Sequence, residues 1–242
     1  MSEEWMPPLQ LSLSEEESRR LPRHPAYQYD YIHGTLFLTP RPKYFHGVLE
    51  FSRQQSPPEN ELAADLHIRQ IEADDRTSLP AVFASAFETA QPFSGLDPAD
   101  RLRAATAALE KTWVNGDGPV VTEACFSAIY PHKRVPLAAI LITLVPGGDP
   151  SIRESYRWPE PRPSINPMAA QPHLTWIFVA PVWKYRGIAS LLLDRAVKVL
   201  LGMGYASLWS TFLVGNDASA LWHWRNGFTL APYPYSKRKP SF

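Results

Sequence analysis

The chain has 242 residues, with 24 Lys+Arg balanced by 24 Asp+Glu. Its zero formal charge excludes a whole-molecule electrostatic attraction to nucleic acid or anionic membrane, so any anion it binds must be held locally. At 45% hydrophobic residues the chain can bury a core, while 25 prolines against 12 glycines point to long extended connections.

A single cysteine, Cys125, excludes an internal disulfide framework and a cysteine zinc cluster. The opening Met1-Ser2-Glu3-Glu4-Trp5 is acidic and lacks the basic and apolar regions of a signal peptide. The longest apolar run, Leu137 to Val145, is shorter than the roughly 20 residues a bilayer span needs. These features read as a soluble, cytoplasmic protein with no membrane partner.

Met1 to Arg23 is polar and acidic and reads as loosely ordered. Two aromatic or β-branched runs within Tyr27–Pro40 flank His33-Gly34, which predicts a β-hairpin, bounded at 27–51, in an N-terminal extension. The polar, proline-containing segment Gln54 to Asn60 marks a boundary, giving an extension over 1–60 and a main domain over 61–242. The hairpin is similar to the opening of the Uma2-type nuclease fold, but no catalytic carboxylate pattern follows it.

From Leu66 the order is mixed α/β. Leu66–Ile71 alternates as a strand, and Ser78–Ala90 and Pro98–Trp113 read as helices, the second capped by Asp97 with Pro98 at its first position. Glu123–Tyr130 and Leu137–Val145 read as strands joined by a turn at Pro131–Arg134. Pro146 to Pro172 holds seven prolines in 27 residues and is expected to be neither helix nor central strand. A strand over His173–Ala180 follows, then a helix over Gly187–Leu201 with Ile188, Leu192, Ala196 and Leu200 on one face. A strand over Ala206–Val214, a short helix over Ala218–Arg225 and a strand over Phe228–Tyr235 complete the chain.

The sharpest local pattern is Phe178-Val179-Ala180-Pro181-Val182-Trp183-Lys184-Tyr185-Arg186-Gly187-Ile188-Ala189-Ser190. A strand ends, two cations follow, and a helix opens on glycine. Unpaired N–H groups and the positive end of a helix dipole make this a local anion site. Lys184-Tyr185-Arg186-Gly187-Ile188-Ala189 resembles motif A of the GCN5-related N-acetyltransferases (GNAT), Gln/Arg-x-x-Gly-x-Gly/Ala, with Lys at the first position. Val179-Ala180-Pro181 matches the family's Val-x-Pro, and Asn216 through Gly227-Phe228 resembles its Asn-…-Gly-Phe signature.

The resemblance implies a mixed, mostly antiparallel sheet splayed at the cofactor site, and N-acyl transfer from acetyl-CoA to an amine acceptor. It implies that backbone amides of Tyr185, Arg186, Gly187, Ile188, Ala189 and Ser190, aided by Lys184, hold the pyrophosphate. Phe178 and Val179 would pair with the pantetheine arm, and Asn216 would contact it. The family's acid position, five residues before the Phe of Gly-Phe, is His223 here rather than Tyr. A packing role beside Trp222 and Trp224 is the alternative. For the general base the resemblance implies His173, eleven residues before Lys184, where some members carry a Glu on the same strand. A strand-edge histidine beside the proline-rich connection is the alternative there. Glu123 and Tyr130 are further candidates for the base.

The histidines lack metal-ligand spacing, and Cys125 reads as an inert small hydrophobe. Trp113, Trp176, Trp209 and Trp222 read as core or groove wall rather than a nucleic-acid platform. The extension could cover the acceptor groove, pack on the sheet, or build a homodimer. A non-catalytic acyl-CoA sensor of the same fold is the competing function, and nucleic-acid processing a third.

Overall fold

The computed structural model describes residues 8–24, 27–40, 44–53, 66–90, 93–130, 135–159, 166 and 169–230. The expected boundary at 54–60, the turn at 131–134 and the end of the chain from residue 231 lie outside them.

The first described elements form a small sheet. β1 (Leu9–Ser12) and β2 (Tyr27–Ile32) flank β3 (Thr35–Pro40), all antiparallel. A hairpin is present, but it pairs Tyr27–Ile32 with Thr35–Pro40 and does not extend to residue 51, because Tyr44–Glu50 joins another sheet. His33 and Gly34 both take positive φ, 47° and 81°, as a two-residue hairpin turn requires. The acidic N-terminal stretch is more ordered than its composition suggests. α1 (Glu15–Arg20) is held by a capping box, in which Ser14 Oγ accepts from Glu17 N–H and the Glu17 carboxylate accepts from Ser14 N–H at 2.8 Å.

β4 (Tyr44–Glu50), β5 (His67–Gln70), β6 (Phe126–Ile129), β7 (Pro136–Val145), β8 (Gln171–Val179), β9 (Ser207–Leu213) and β10 (Thr229–Leu230) build a seven-stranded sheet in the order β10-β4-β9-β8-β7-β6-β5. Every pairing is antiparallel except β8 with β9. α2 (Asp75–Ala86) and α3 (Pro98–Trp113) follow β5; α4 (Ile188–Gly202) crosses from β8 to β9; α5 (Asp217–Arg225) follows β9. From β5 onward this is the element order read from the sequence and implied by the resemblance.

One strand comes from an unexpected place. β4 precedes the expected boundary, yet it lies between β9 and β10 and pairs with β9 over its whole length, Tyr44 opposite Leu213 through Glu50 opposite Ser207. The extension therefore contributes a strand to the main sheet. Leu49 is fully buried in the core.

Helices cover both faces. β7 is buried at all ten positions because α2, backed by α3, packs on one side and α4 on the other. The apolar face read on α4 is the observed one: Ile188, Leu192, Ala196 and Leu200 are all buried. Asp97 caps α3 as expected, its Oδ1 accepting from Ala99 and Asp100 N–H at 2.9 Å.

Pro172 corrects an expectation, because it lies inside a central strand, opposite Leu144. Leu144 donates its N–H to Pro119 O at 2.8 Å, and its carbonyl accepts from Trp158 Nε1 at 2.9 Å. Both groups point away from β8, so the 144/172 pair needs no N–H from proline. Within the proline-rich connection, Arg153–Tyr156 form a 3-10 turn, and 160–165 and 167–168 lie outside the described residues.

Candidate functional site

The loop between β8 and α4 makes a tight turn over Pro181–Trp183 before the helix begins. Tyr185 and Gly187 take left-handed conformations, with φ of 62° and 75°. Gly adopts that conformation freely; for Tyr185 it stores about 1–2 kcal/mol of strain. The first bond of α4 runs from Leu191 N–H to Gly187 O at 3.0 Å. The N–H groups of Ile188, Ala189 and Ser190 precede it and have no acceptor within the helix. They converge at the positive end of a helix with no acidic residue in its first turn. The geometry is that of an anion cradle.

The two cations of the loop do different things. Lys184 folds back, and its Nζ donates to the Ala86 carbonyl at the C-terminal end of α2, at 2.8 Å. Partial burial lowers its pKa. Its ammonium closes the helix end instead of facing the cradle, which corrects its expected place among the anion-holding groups. Arg186 is exposed, with its guanidinium 5.1 Å from the Trp183 ring centre, and stays beside the cradle.

A second feature meets the first. β8 and β9 run parallel but pair only at His173–Trp209 and Leu174–Ser210. Beyond Leu174 the strands part, leaving a slot between Thr175–Val179 and Thr211–Leu213. β8 keeps its other partner throughout, apart from a bulge at Thr175. Ala180 N–H bonds to Leu137 O at 2.8 Å, so alternation gives bonded pairs 178/139 and 176/141. The N–H and C=O groups of Ile177 and Val179 therefore face the slot. Those of Phe178 face β7, and its ring packs 5.2 Å from Phe83. Of the two residues expected to line the slot by backbone, Val179 does and Phe178 does not. Ile177 takes its place.

His223 is a core residue. It is 2% exposed and stacks on Phe212 at 4.1 Å and 19°. Its Nδ1 lies 2.8 Å from the Ser219 carbonyl, which can only accept, so Nδ1 carries the proton. Nε2 then accepts from Ser210 Oγ at 2.8 Å. Burial pushes its pKa down to about 4, so at neutral pH it is uncharged with both nitrogens bonded. The expected general acid is instead the packing histidine of the alternative reading. Desolvation disfavours the charged form that a cationic acid would need.

His173 lies at the apex of the slot, opposite Trp209. Its Nδ1 meets Thr175 Oγ1 and its Nε2 meets Thr211 Oγ1, both at 3.2 Å. Thr175 Oγ1 continues to Thr143 Oγ1 at 2.8 Å, and Thr143 donates to the Asp117 carbonyl at 3.4 Å. This chain runs on the face covered by α2 and α3. His223 lies on the opposite face, because Ser210 and Phe212 alternate with Trp209 and Thr211 along β9. Burial lowers the His173 pKa to about 4. It is neutral, at the slot, with both ring nitrogens within a hydroxyl chain.

Asn216 caps α5, its Oδ1 accepting from Ser219 N–H at 3.1 Å, and its amide nitrogen remains a donor just past the end of β9. Glu123 is exposed and accepts from Thr122, while Tyr130 packs on Trp183 at 5.6 Å. Neither belongs to the apex cluster. Cys125 is buried and its thiol pushed up to about 12 by desolvation, consistent with an inert side chain.

The sequence reading missed His46. It stands on β4 opposite Thr211, and its ring centre is 4.6 Å from that of Tyr156. Burial and the nearby Arg153 cation lower its pKa, and its Nδ1 has no hydrogen-bond partner. Only the pairing of β4 with β9 brings it to the apex. Among the described residues no group of three or more His, Cys, Asp or Glu could hold a metal ion. No helix among them is long and apolar enough to cross a membrane.

No protein-family model matches the chain, and no curated protein matches it. Solved structures do. A GCN5-related N-acetyltransferase from Sphaerobacter thermophilus aligns at TM-score 0.49 and 14% identity, over 79% of this chain and 50% of that one. A GNAT family acetyltransferase from Brucella melitensis in complex with acetyl-CoA aligns at TM-score 0.45 and 14% identity, over 72% and 91%. The PaiA N-acetyltransferase from Thermoplasma acidophilum in complex with coenzyme A aligns at TM-score 0.45 and 14% identity, over 68% and 89%. The chain thus spans about half of the Sphaerobacter protein.

Proposed function

We propose that this chain is an acyl-CoA-dependent N-acyltransferase of the GCN5-related kind, moving an acetyl group from acetyl-CoA to a primary amine. The observation that carries this reading is the meeting of the two features: a slot with free backbone groups opens beside a helix start with free N–H groups. An elongated ligand with a phosphorylated end and an amide-bearing arm uses both. The residues present fit it. Ile188, Ala189 and Ser190 N–H hold phosphate oxygens, with Tyr185, Gly187 and Arg186 shaping and charging the cradle. Ile177 and Val179 offer N–H and C=O to the arm's amides, and Asn216 adds a side-chain donor.

Bound acetyl-CoA supplies an activated acetyl group as a thioester. Transfer makes one C–N bond and breaks one C–S bond, and one proton passes from the amine to the leaving sulfur. A free backbone N–H in the slot stabilises negative charge on the carbonyl oxygen. An alkyl ammonium has pKa about 10.4, so a proton acceptor is needed near neutral pH. His173 relays the proton without resting as a cation, one ring nitrogen accepting as the other donates within its bonds to Thr175 and Thr211.

A non-catalytic acyl-CoA sensor is the second reading, favoured by one observation: His223, in the family's acid position, is buried and fully bonded. Calorimetric titration with acetyl-CoA, followed by a thiol-release assay on a panel of amines, separates the readings. Binding with turnover is expected. Binding with no turnover on any amine favours the sensor, and absence of binding overturns both.

A further inference from the structure

Tyr156 stands over the apex of the slot inside a set of rings. Its ring centre lies 4.6 Å from His46, 5.5 Å from His173 and 5.3 Å from Trp209. The three surrounding rings come from three adjacent strands, β4, β8 and β9, and all are nine-tenths or more buried. Tyr156 comes from the 3-10 turn of the proline-rich connection and is only half-buried. It fills the cage without satisfying it. Its hydroxyl donates to the Pro150 carbonyl at 2.9 Å, and the buried His46 Nδ1 is left with no hydrogen-bond partner. A buried nitrogen without a hydrogen bond is costly, and a ligand N–H in the cage would satisfy it.

The position is right for the second substrate. The phosphate cradle belongs to α4, on one face of the sheet, and the slot leads from it to the apex. A nucleophile reaching the apex without crossing the first substrate must come from the other face, where His46, His173, Trp209 and Tyr156 lie.

We propose that the cage of His46, His173 and Trp209, filled here by Tyr156, is the acceptor site, and that it takes a weakly basic primary amine carried on a planar aromatic ring.

This assignment rests on the acyltransferase reading. The flat shape follows from the ring that now occupies the cage. The low basicity follows from the charges around it. Arg153 is the cation acting on His46. The carboxylates acting on His173 and Tyr156 are those of Asp117 and Asp149. Asp117 is paired with Lys111 and bonded by Thr112, while Asp149 is exposed to solvent and bonded by Ser151. Among the described residues no carboxylate bonds to any of the four rings. An alkyl ammonium would enter a desolvated cage with no carboxylate bonded to its rings and with the Arg153 cation acting on it, whereas an arylamine arrives neutral and donates its N–H to Nδ1.

The test uses the full chain, acetyl-CoA and a thiol-release assay at pH 7.5, with aniline and butylamine as acceptors. Aniline is expected to exceed butylamine at least tenfold in kcat/KM. Tyr156→Gly removes the competing ring and should lower KM for aniline at least threefold. His46→Phe should reduce kcat/KM for aniline at least tenfold with the acetyl-CoA Kd unchanged. Equal or better use of butylamine overturns the assignment, as does an unmoved aniline KM in Tyr156→Gly, which stands even where His46→Phe fails to fold. Tryptophan-fluorescence quenching by aniline separates the two layers. Saturable quenching without acetyl-CoA binding keeps the cage as an aromatic-amine site and removes the acyltransferase reading; acetyl-CoA binding without saturable quenching does the reverse.

Discussion

Acid should destabilise this protein through its buried histidines, and His223 allows the effect to be isolated. Its folded pKa is about 4, against about 6.5 for a free imidazole. The folded state holds the ring neutral, so the unfolded state binds more protons between those two values. Stability from this group is complete above pH 6.5 and is lost as pH falls, ending below pH 4. At pH 5 the loss is about 2 kcal/mol, and the full loss about 3 kcal/mol. Burial at 2% exposure means solvent screening does not reduce it much. His173, also lowered to about 4, adds a similar amount over the same window. The assay is urea unfolding at pH 7.5 and pH 5. His223→Phe keeps a flat ring against Phe212 but leaves Ser210 Oγ and the Ser219 carbonyl without their partner. It should be less stable at pH 7.5 by about 2 kcal/mol and lose about 2 kcal/mol less than wild type on going to pH 5. Its turnover, measured on the folded fraction, should stay within a few-fold, whereas removal of a general acid lowers kcat by about 100-fold or more. An unchanged pH difference, or a hundredfold loss of kcat in folded protein, refutes the core assignment.

Three other outcomes follow from the geometry. Gly187→Val places a β-branched residue at φ of 75°; it should destabilise by about 1–2 kcal/mol and weaken acetyl-CoA binding in calorimetry, because the cradle is displaced. Lys184→Ala removes the bond to the Ala86 carbonyl and should lower stability by about 1 kcal/mol, with acetyl-CoA affinity unchanged within about twofold, since the ammonium does not face the cradle. A chain lacking residues 1–60 should fail to give a soluble folded domain by circular dichroism and gel filtration. It loses β4 and exposes a long edge of β9.

Much of the fold was legible because its signals are short-range. Asp97-Pro98 announces α3, the spacing of Ile188, Leu192, Ala196 and Leu200 gives the buried face of α4, and His33-Gly34 turns the hairpin. α1 was legible too, in Ser14 and Glu17, but an acidic composition concealed a capping box. Pro172 was misread because composition does not say which way a strand's N–H groups point; its neighbour Leu144 faces away, so a proline fits. Lys184 was misplaced because its sequence neighbours suggested a phosphate, while the acceptor it found lies 98 residues away.

The sequence by itself determined where the helices and most strands lie, that a helix opens on glycine after a strand, and that any anion the chain binds must be held locally. These depend on residues within a turn or two of each other, where periodicity, caps and φ preferences act directly. Tertiary structure alone decided that β4 joins the main sheet, that β8 and β9 part after Leu174, that His223 is sealed in the core, and that His46 meets His173 and Tyr156. Each of these is a pairing between distant segments. The same histidine is an acid when solvated and a neutral core ring when desolvated, and only the packing of remote chain around it sets which.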